Sequence, residues 1–256
     1  MTLPQFLMIA TAPADLIGLA LLLLGWFGIG WLIENPPRRH PSVSELMKHY
    51  RREWMRHFVT RDPRIFDGNV LSNLREGTAF FASACMIAIG GGVALIGNAD
   101  RMRVLARDFD LEQVVAASAE AKLLLTLLLV IHAFLNFVWS NRLFGYCAIL
   151  MAAVPDASDD PVAYARADQA ADLNIIAGRK FNAGLRSVYF ALGSLGWLGG
   201  GWGLCIGATL VSWLTWRREF ASNSRRIILR ALPPEHLGGA AVPPTATGQR
   251  SPPPPP

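Results

Sequence analysis

The chain has 256 residues, 52% of them hydrophobic and 17% charged, with a formal net charge of +5. Close to half of it lies in long apolar runs, and the connections between them are too poor in apolar residues to build a second, soluble core. Cys85, Cys147 and Cys205 fall inside apolar runs and none sits in a CxxC spacing, which argues against a disulfide framework or structural zinc and for small buried side chains.

Four nearly uncharged stretches stand out, at residues 16–33, 78–97, 121–142 extending to 154, and 187–216. Each is about the length a helix needs to cross a bilayer, roughly 17–25 residues. Lipid offers the backbone no hydrogen-bond partner and a helix satisfies its own, so the expected fold is all-α. It is a transmembrane bundle of four spanning helices over residues 1–232, with interfacial amphipathic helices. Residues 1–15 carry no Lys or Arg, and Pro36-Pro37 follows the first stretch where a cleavage site would need small residues. The first span is therefore read as retained, with Asp15 as its N-cap.

Residues 34–75 hold nine cations, and short loops rich in Lys and Arg stay on the cytoplasmic side. Within them Ser42 and Glu45 fit a capping box. Val43, Leu46, Met47, Tyr50, Trp54 and Phe58 then recur every three or four residues and form one apolar face. Lys48, Arg51, Arg52 and Arg56 line much of the rest, so Lys48, Arg51, Arg52, Trp54 and Arg56 mark a candidate membrane-surface helix on anionic lipid. The same pattern suits a helix packed on the cytoplasmic end of the bundle, and the two roles can coexist.

Ala84, Ala88 and Gly92 in the second span, and Gly199, Gly203 and Gly207 in the fourth, repeat every four residues and suggest close helix packing. Gly90-Gly91-Gly92 could also mark a broken helix at a substrate site. Residues 110–120 read as a helix leading into the third span, which Lys122 and Arg142 bracket as snorkelling cations. Residues 143–154 extend that helix or lie at the interface. Asp159-Asp160-Pro161 starts another helix, with Gly178 as its expected C-cap. Residues 233–256 are rich in Pro and read as a disordered tail.

Four crossings with the first loop inside leave thirteen cations within and ten outside, a narrow margin. The basic tail is the source of the conflict. A fifth crossing would relieve it, but neither residues 123–154 nor 187–216 are long enough for two passes.

His132 lies near the expected midplane. Asn136 and Ser140 follow at intervals of four, and Arg142 closes the span. Ionisable groups in a membrane face the bundle or a water cavity. Three roles are open: an interhelical hydrogen bond, a proton or substrate path, and a haem axial ligand, which would need a second protomer. Arg61, Asp62, Arg64 and Asp67 read as a solvated or lipid-facing network, and Asp156, Asp159 and Asp160 as capping and turn residues. There is no GxSxG, HExxH, Walker or GxGxxG signature in the needed context.

Residues 52–55 (Arg-Glu-Trp-Met), 61–67 (Arg-Asp-Pro-Arg-Ile-Phe-Asp), Asn73-Leu74 and Phe80-Phe81-Ala82-Ser83 carry a wider pattern. Phe137, Trp139, Arg142, Tyr146, residues 181–186 (Phe-Asn-Ala-Gly-Leu-Arg) and residues 189–192 (Tyr-Phe-Ala-Leu) continue it. Over roughly residues 10–232 the chain resembles an uncharacterised family of four-helix membrane proteins, a domain of unknown function numbered 599. The resemblance implies location and architecture, and brings no activity, cofactor or catalytic residue.

The leading expectation is a non-enzymatic component of a bacterial-type inner membrane. It would bind lipids, anionic ones at the basic loop, or partner proteins, including a second copy, and no nucleic acid. A small transporter or channel using His132 and Asn136 is the second reading, and a haem-binding redox component the third. No other cofactor or metal is expected.

Overall fold

A computed structural model describes residues 13–37, 39–98 and 112–231. The expected disordered tail and the cations Arg101, Arg103 and Arg107 lie outside these residues. The described residues form α1 (Pro13–Glu34), α2 (Val43–Thr60), α3 (Ile65–Gly97), α4 (Glu112–Ala152), α5 (Pro161–Ser194), a 3-10 turn (Leu195–Gly199), α6 (Gly201–Phe220) and α7 (Asn223–Ala231), with no strand among them. Three helices are long and apolar enough to cross a membrane: Pro13–Glu34, Ile65–Gly97 and Glu120–Ala152.

Local chemistry sets most boundaries. Ser42 accepts from the Glu45 N–H at 3.2 Å and donates to the Ile33 carbonyl at 2.9 Å, so one hydroxyl both caps α2 and ties it to the end of α1. Asp160 caps α5 through the Val162 N–H at 2.8 Å, with Pro161 in the first turn. Residues 143–152 extend α4 as a continuous helix. Asp15 falls in the first turn of α1, which begins at Pro13, and accepts from Trp197 Nε1 at 2.7 Å.

Two expectations are corrected. Gly178 does not end α5, which runs on through it to Ser194. Its missing side chain makes room for a neighbour instead, because a Cβ there would stand 2.9 Å from an Arg51 guanidinium nitrogen. Nor is the stretch 187–216 a single helix. It breaks at the 3-10 turn and at Gly200, whose φ of 94° favours glycine, and α6 then folds back along α5. Gly193 faces Gly207 and Gly196 faces Gly203, so closely that a Cβ on any of them would lie 2.2–3.1 Å from a backbone or side-chain atom opposite. Gly203 and Gly207 therefore pack the two halves of this stretch against each other. Gly199 meets open space.

Helices α4 and α5 run antiparallel through four polar rungs. Thr126 and Ser194 share a hydrogen bond (2.7 Å), as do His132 and Ser187 (2.8 Å). Ser140 donates to the Ala177 carbonyl (2.7 Å) and Cys147 to that of Ala170 (3.3 Å). Rungs spaced six to eight residues apart on α4 keep one seam facing one partner, as in a coiled coil. Helix α3 joins the other side through Leu71, Thr78 and Cys85, seven residues apart and all buried, with Gly92 against Leu127 next in the series. Ala84 and Ala88 are exposed among the described residues, because a four-residue repeat drifts away from this seven-residue seam.

The core has two main storeys. Leu22, Leu129, Phe190, Trp197, Leu204 and Ala208 pack α1, α4, α5 and α6 at one end. Met55, Phe58, Leu71, Phe144, Met151 and Ala170 pack α2 to α5 at the other. Between them Phe81, Phe137 and Phe181 gather, with ring centroids 5.4–5.7 Å apart.

Gly184 faces Phe137 so closely that a Cβ would lie 2.7 Å from the ring, whereas Gly90 faces open space. Gly184→Ala should lose about 1–3 kcal/mol by overpacking. Gly90→Ala should be neutral or gain up to about 1 kcal/mol. Thermal unfolding of the two variants in detergent checks the contrast.

Candidate functional site

The mid-span group is an interhelical junction. Trp26 Nε1 on α1 donates to Ser187 Oγ on α5 at 3.2 Å, and Ser187 donates to the Ala183 carbonyl at 3.1 Å. With its one proton spent, the hydroxyl accepts from His132 as well. That puts the imidazole proton on Nδ1 and leaves Nε2 to accept from Asn136 Nδ2 at 3.2 Å. Asn136 Nδ2 also donates to the His132 carbonyl at 2.8 Å, and the Trp26 ring stands edge-on to the imidazole. His132 and Asn136 thus come together, joined by Trp26 and Ser187, which sequence reasoning did not assign to them. His132 itself is exposed on the outside of this junction.

Ser140 and Arg142 belong elsewhere. Ser140 is buried on Ala177, and Arg142 donates to Tyr146 Oη at 2.6 Å with its guanidinium over the Trp139 and Tyr146 rings. Lys122, expected to snorkel, is buried with its ammonium 5.8 Å from the Trp197 ring centroid.

Helix α2 lays its apolar face on the bundle, with Leu46, Met55, Phe58 and Val59 buried. Its cations have partners within the chain. Arg52 pairs with Asp172 at 2.7 Å, Arg56 with Asp168 at 3.3 Å, Lys48 with Glu45, and Arg51 donates to Asn174. Trp54 donates to Asp67 Oδ1 at 2.6 Å.

Asp67 is the larger correction. Expected in a solvated network, its side chain is wholly buried and paired with Arg61 at 2.5 Å, and its Oδ2 has no partner among the described residues. Arg64 reaches the Val59, Val154 and Pro155 carbonyls at 2.8–3.0 Å and Asp156 at 3.2 Å. Together Arg61, Arg64 and Asp67 knot the α2–α3 link to the α4–α5 loop. The signal was there to read: Asp67 precedes Leu71, Leu74 and Thr78 at spacings of four, three and four, on the buried seam of α3.

Among the described residues no group of three His, Cys, Asp or Glu side chains could hold a metal ion. A family profile described as "Protein of unknown function, DUF599" matches residues 17–224. The chain belongs to the DUF599 family. The DUF599 match takes in nearly all of α1, the Trp54–Asp67–Arg61 knot, the His132 junction and all of α6. Comparison with curated proteins and with solved structures finds no match.

Breaking a buried ion pair from one side leaves the other charge uncompensated. Arg61→Met should therefore destabilise the protein by about 2–3 kcal/mol, less than for a fully buried pair because Arg61 is partly exposed. Arg61→Met with Asp67→Asn should cost less than the two single changes added. Chemical denaturation of the four proteins in detergent measures the coupling.

Proposed function

We propose that the chain is a five-pass membrane component that presents a basic, helix-built platform on the cytoplasmic face of an inner membrane, and that it binds anionic lipid or a partner protein there and is not an enzyme. The observation that carries the reading is the return of α6 along α5. Both ends of the stretch 187–216 then lie on one side, and the six cations from Arg217 to Arg250 join the thirteen of the first and third connections. Only Arg101, Arg103, Arg107 and Lys122 are left opposite. This satisfies the bias of Lys and Arg toward cytoplasmic loops far better than four passes do.

Lengths and surfaces support it. Helix α6 runs uncharged from Gly201 to Trp216, about 24 Å, and the apolar turn Leu195–Gly199 before it brings the stretch to the hydrocarbon thickness. At the start of the α5 stretch that recrosses, Arg186 meets Glu34, the last residue of α1, at 2.9 Å. Ile87, Trp202 and Leu24 are 71–77% exposed, an arrangement costly in water and natural in lipid. Helices α4 and α5 have 41 and 34 residues, about 60 and 50 Å, so their hairpin extends beyond the hydrocarbon and carries α2 with it. The His132 junction serves in this reading as a lock between α1, α4 and α5. Such membrane hydrogen bonds contribute about 0.6 kcal/mol each. No cofactor is required.

Alkaline phosphatase fusions test the topology. Fusions in the 98–111 connection and in the 195–200 turn should be active, and a fusion after Ala231 inactive. Activity after Ala231 would return the chain to four passes. In proteoliposomes the protein should pass no proton current, and His132→Ala should change stability alone. A flux abolished by His132→Ala would instead make the junction a transport path.

A further inference from the structure

A second polar feature lies where α1 and α6 end. A cavity of about 350 Å³ opens between α2, α5 and the α6–α7 junction, lined by Lys48, Arg51, Arg179 and Arg218 with Glu219 as its single carboxylate among the described residues. That carboxylate is already committed. Glu219 accepts from both the N–H and the hydroxyl of Ser44, at 3.1 and 3.0 Å, and so caps the first turn of α2.

Arg51 has no carboxylate partner among the described residues. Its neighbours Arg52 and Arg56, on the outer face of α2, are each given an aspartate by α5. Arg51 lines the cavity and, among the described residues, donates only to neutral oxygens, the backbone and side-chain carbonyls of Asn174. Gly178 leaves the space its guanidinium fills. Burial holds that guanidinium below its ordinary pKa, the penalty expected of a desolvated cation without a counter-charge. Arg218 donates to the neutral Tyr189 hydroxyl at 2.7 Å, Lys48 is held by Glu45, and Arg179 meets Glu34 only at 3.5 Å. The start of α7 also faces this space, through Ser222 and Ser224.

A cavity lined by three arginines and a lysine suits a tetrahedral oxyanion, which accepts forked hydrogen bonds from several donors at once. Met47, Leu74 and Phe181 add an apolar wall beside the charges. We propose that this cavity binds a phosphate group, held by Arg51, Lys48, Arg179 and Arg218. The group is either the headgroup phosphate of an anionic phospholipid or a free phosphate. The lipid source rests on the membrane reading above, since it needs the ends of α1 and α6 at headgroup depth; the pocket chemistry does not.

The full chain in a maltoside detergent, free of lipid phosphate, is titrated with inorganic phosphate in one arm and short-chain phosphatidylglycerol in the other. Binding is read by thermal shift and native mass spectrometry. Saturable binding of phosphatidylglycerol alone assigns the lipid source, and binding of inorganic phosphate assigns the free anion. In either case Arg51→Gln and Lys48→Gln should weaken it about ten-fold each, the loss expected for one charged hydrogen bond, while Arg142→Gln, outside both the cavity and the basic platform, leaves it unchanged. If Arg51→Gln fails to fold, Lys48→Gln and Arg218→Gln carry the comparison. Binding of neither ligand, or equal loss in Arg142→Gln, overturns the proposal. Because the titration is done in detergent, such a failure leaves the five-pass topology standing, and a failed topology would leave the binding result standing.

Discussion

The close approach of α5 and α6 is the constraint on which the rest depends. In hydrocarbon there is no hydrophobic drive to bring helices together, so association rests on dispersion, hydrogen bonds and how near two backbones can come. Gly193 and Gly196 on one side and Gly207 and Gly203 on the other bring the backbones into contact. Gly200 supplies the backbone angle that reverses the chain between them. Once this hairpin closes, α6 runs parallel to α1, where Gly18 receives Leu204 and Gly25 receives Ser212. Glu219 is thereby delivered to the first turn of α2. A side chain at the hairpin seam would push α6 away from all of these partners together.

The two storeys are held by different physics. At the hairpin end the core is aliphatic and aromatic, with polar locks at Ser187, between Thr126 and Ser194, and between Asp15 and Trp197. At the α2 end, charge is abundant and most of it is matched within the chain: Arg52, Arg56, Arg61, Arg64 and Arg186 all meet carboxylates. Basic residues that looked like a lipid-facing stripe thus also fasten α2 to α5. Arg51 stands apart from them, which is why its cavity is the better place to look for a ligand than the stripe as a whole.

Helix identity and several caps were legible in the sequence. Ser42, Asp160 and Pro161 act where their side-chain chemistry says they should, and the helix 121–154 needed only length and hydropathy. The hairpin was not legible because hydropathy averages over a turn made of glycine and tryptophan as readily as over a helix. Residues 195–201 are as apolar as the stretches on either side, and the span looked single. Gly178 suggests a stop and so conceals the length of α5, which runs from Pro161, well before residue 187, to Ser194. Glycine is ambiguous in this way: it can end a helix or admit a neighbour, and only the partner, here Arg51, decides. Asp67 was misread for a related reason, since charge type suggests solvent while its spacing to Leu71, Leu74 and Thr78 pointed inward. The His132–Asn136 pairing could be seen from a spacing of four. Trp26 and Ser187 could not, because nothing in one sequence gives the register between helices.

Spin labels at Tyr189→Cys and Arg218→Cys, with the three native cysteines replaced, test the hairpin most directly. In the structure these side chains touch, at 2.7 Å, though 29 residues separate them. A continuous helix would hold them roughly 44 Å apart. Dipolar spectroscopy on the protein in lipid should return a single short distance, under about 25 Å once the label arms are allowed for, with one helical rise of 1.5 Å per residue setting the alternative. A distribution centred near the longer distance would contradict the fold-back, and with it the fifth crossing and the shared side of the chain's cations.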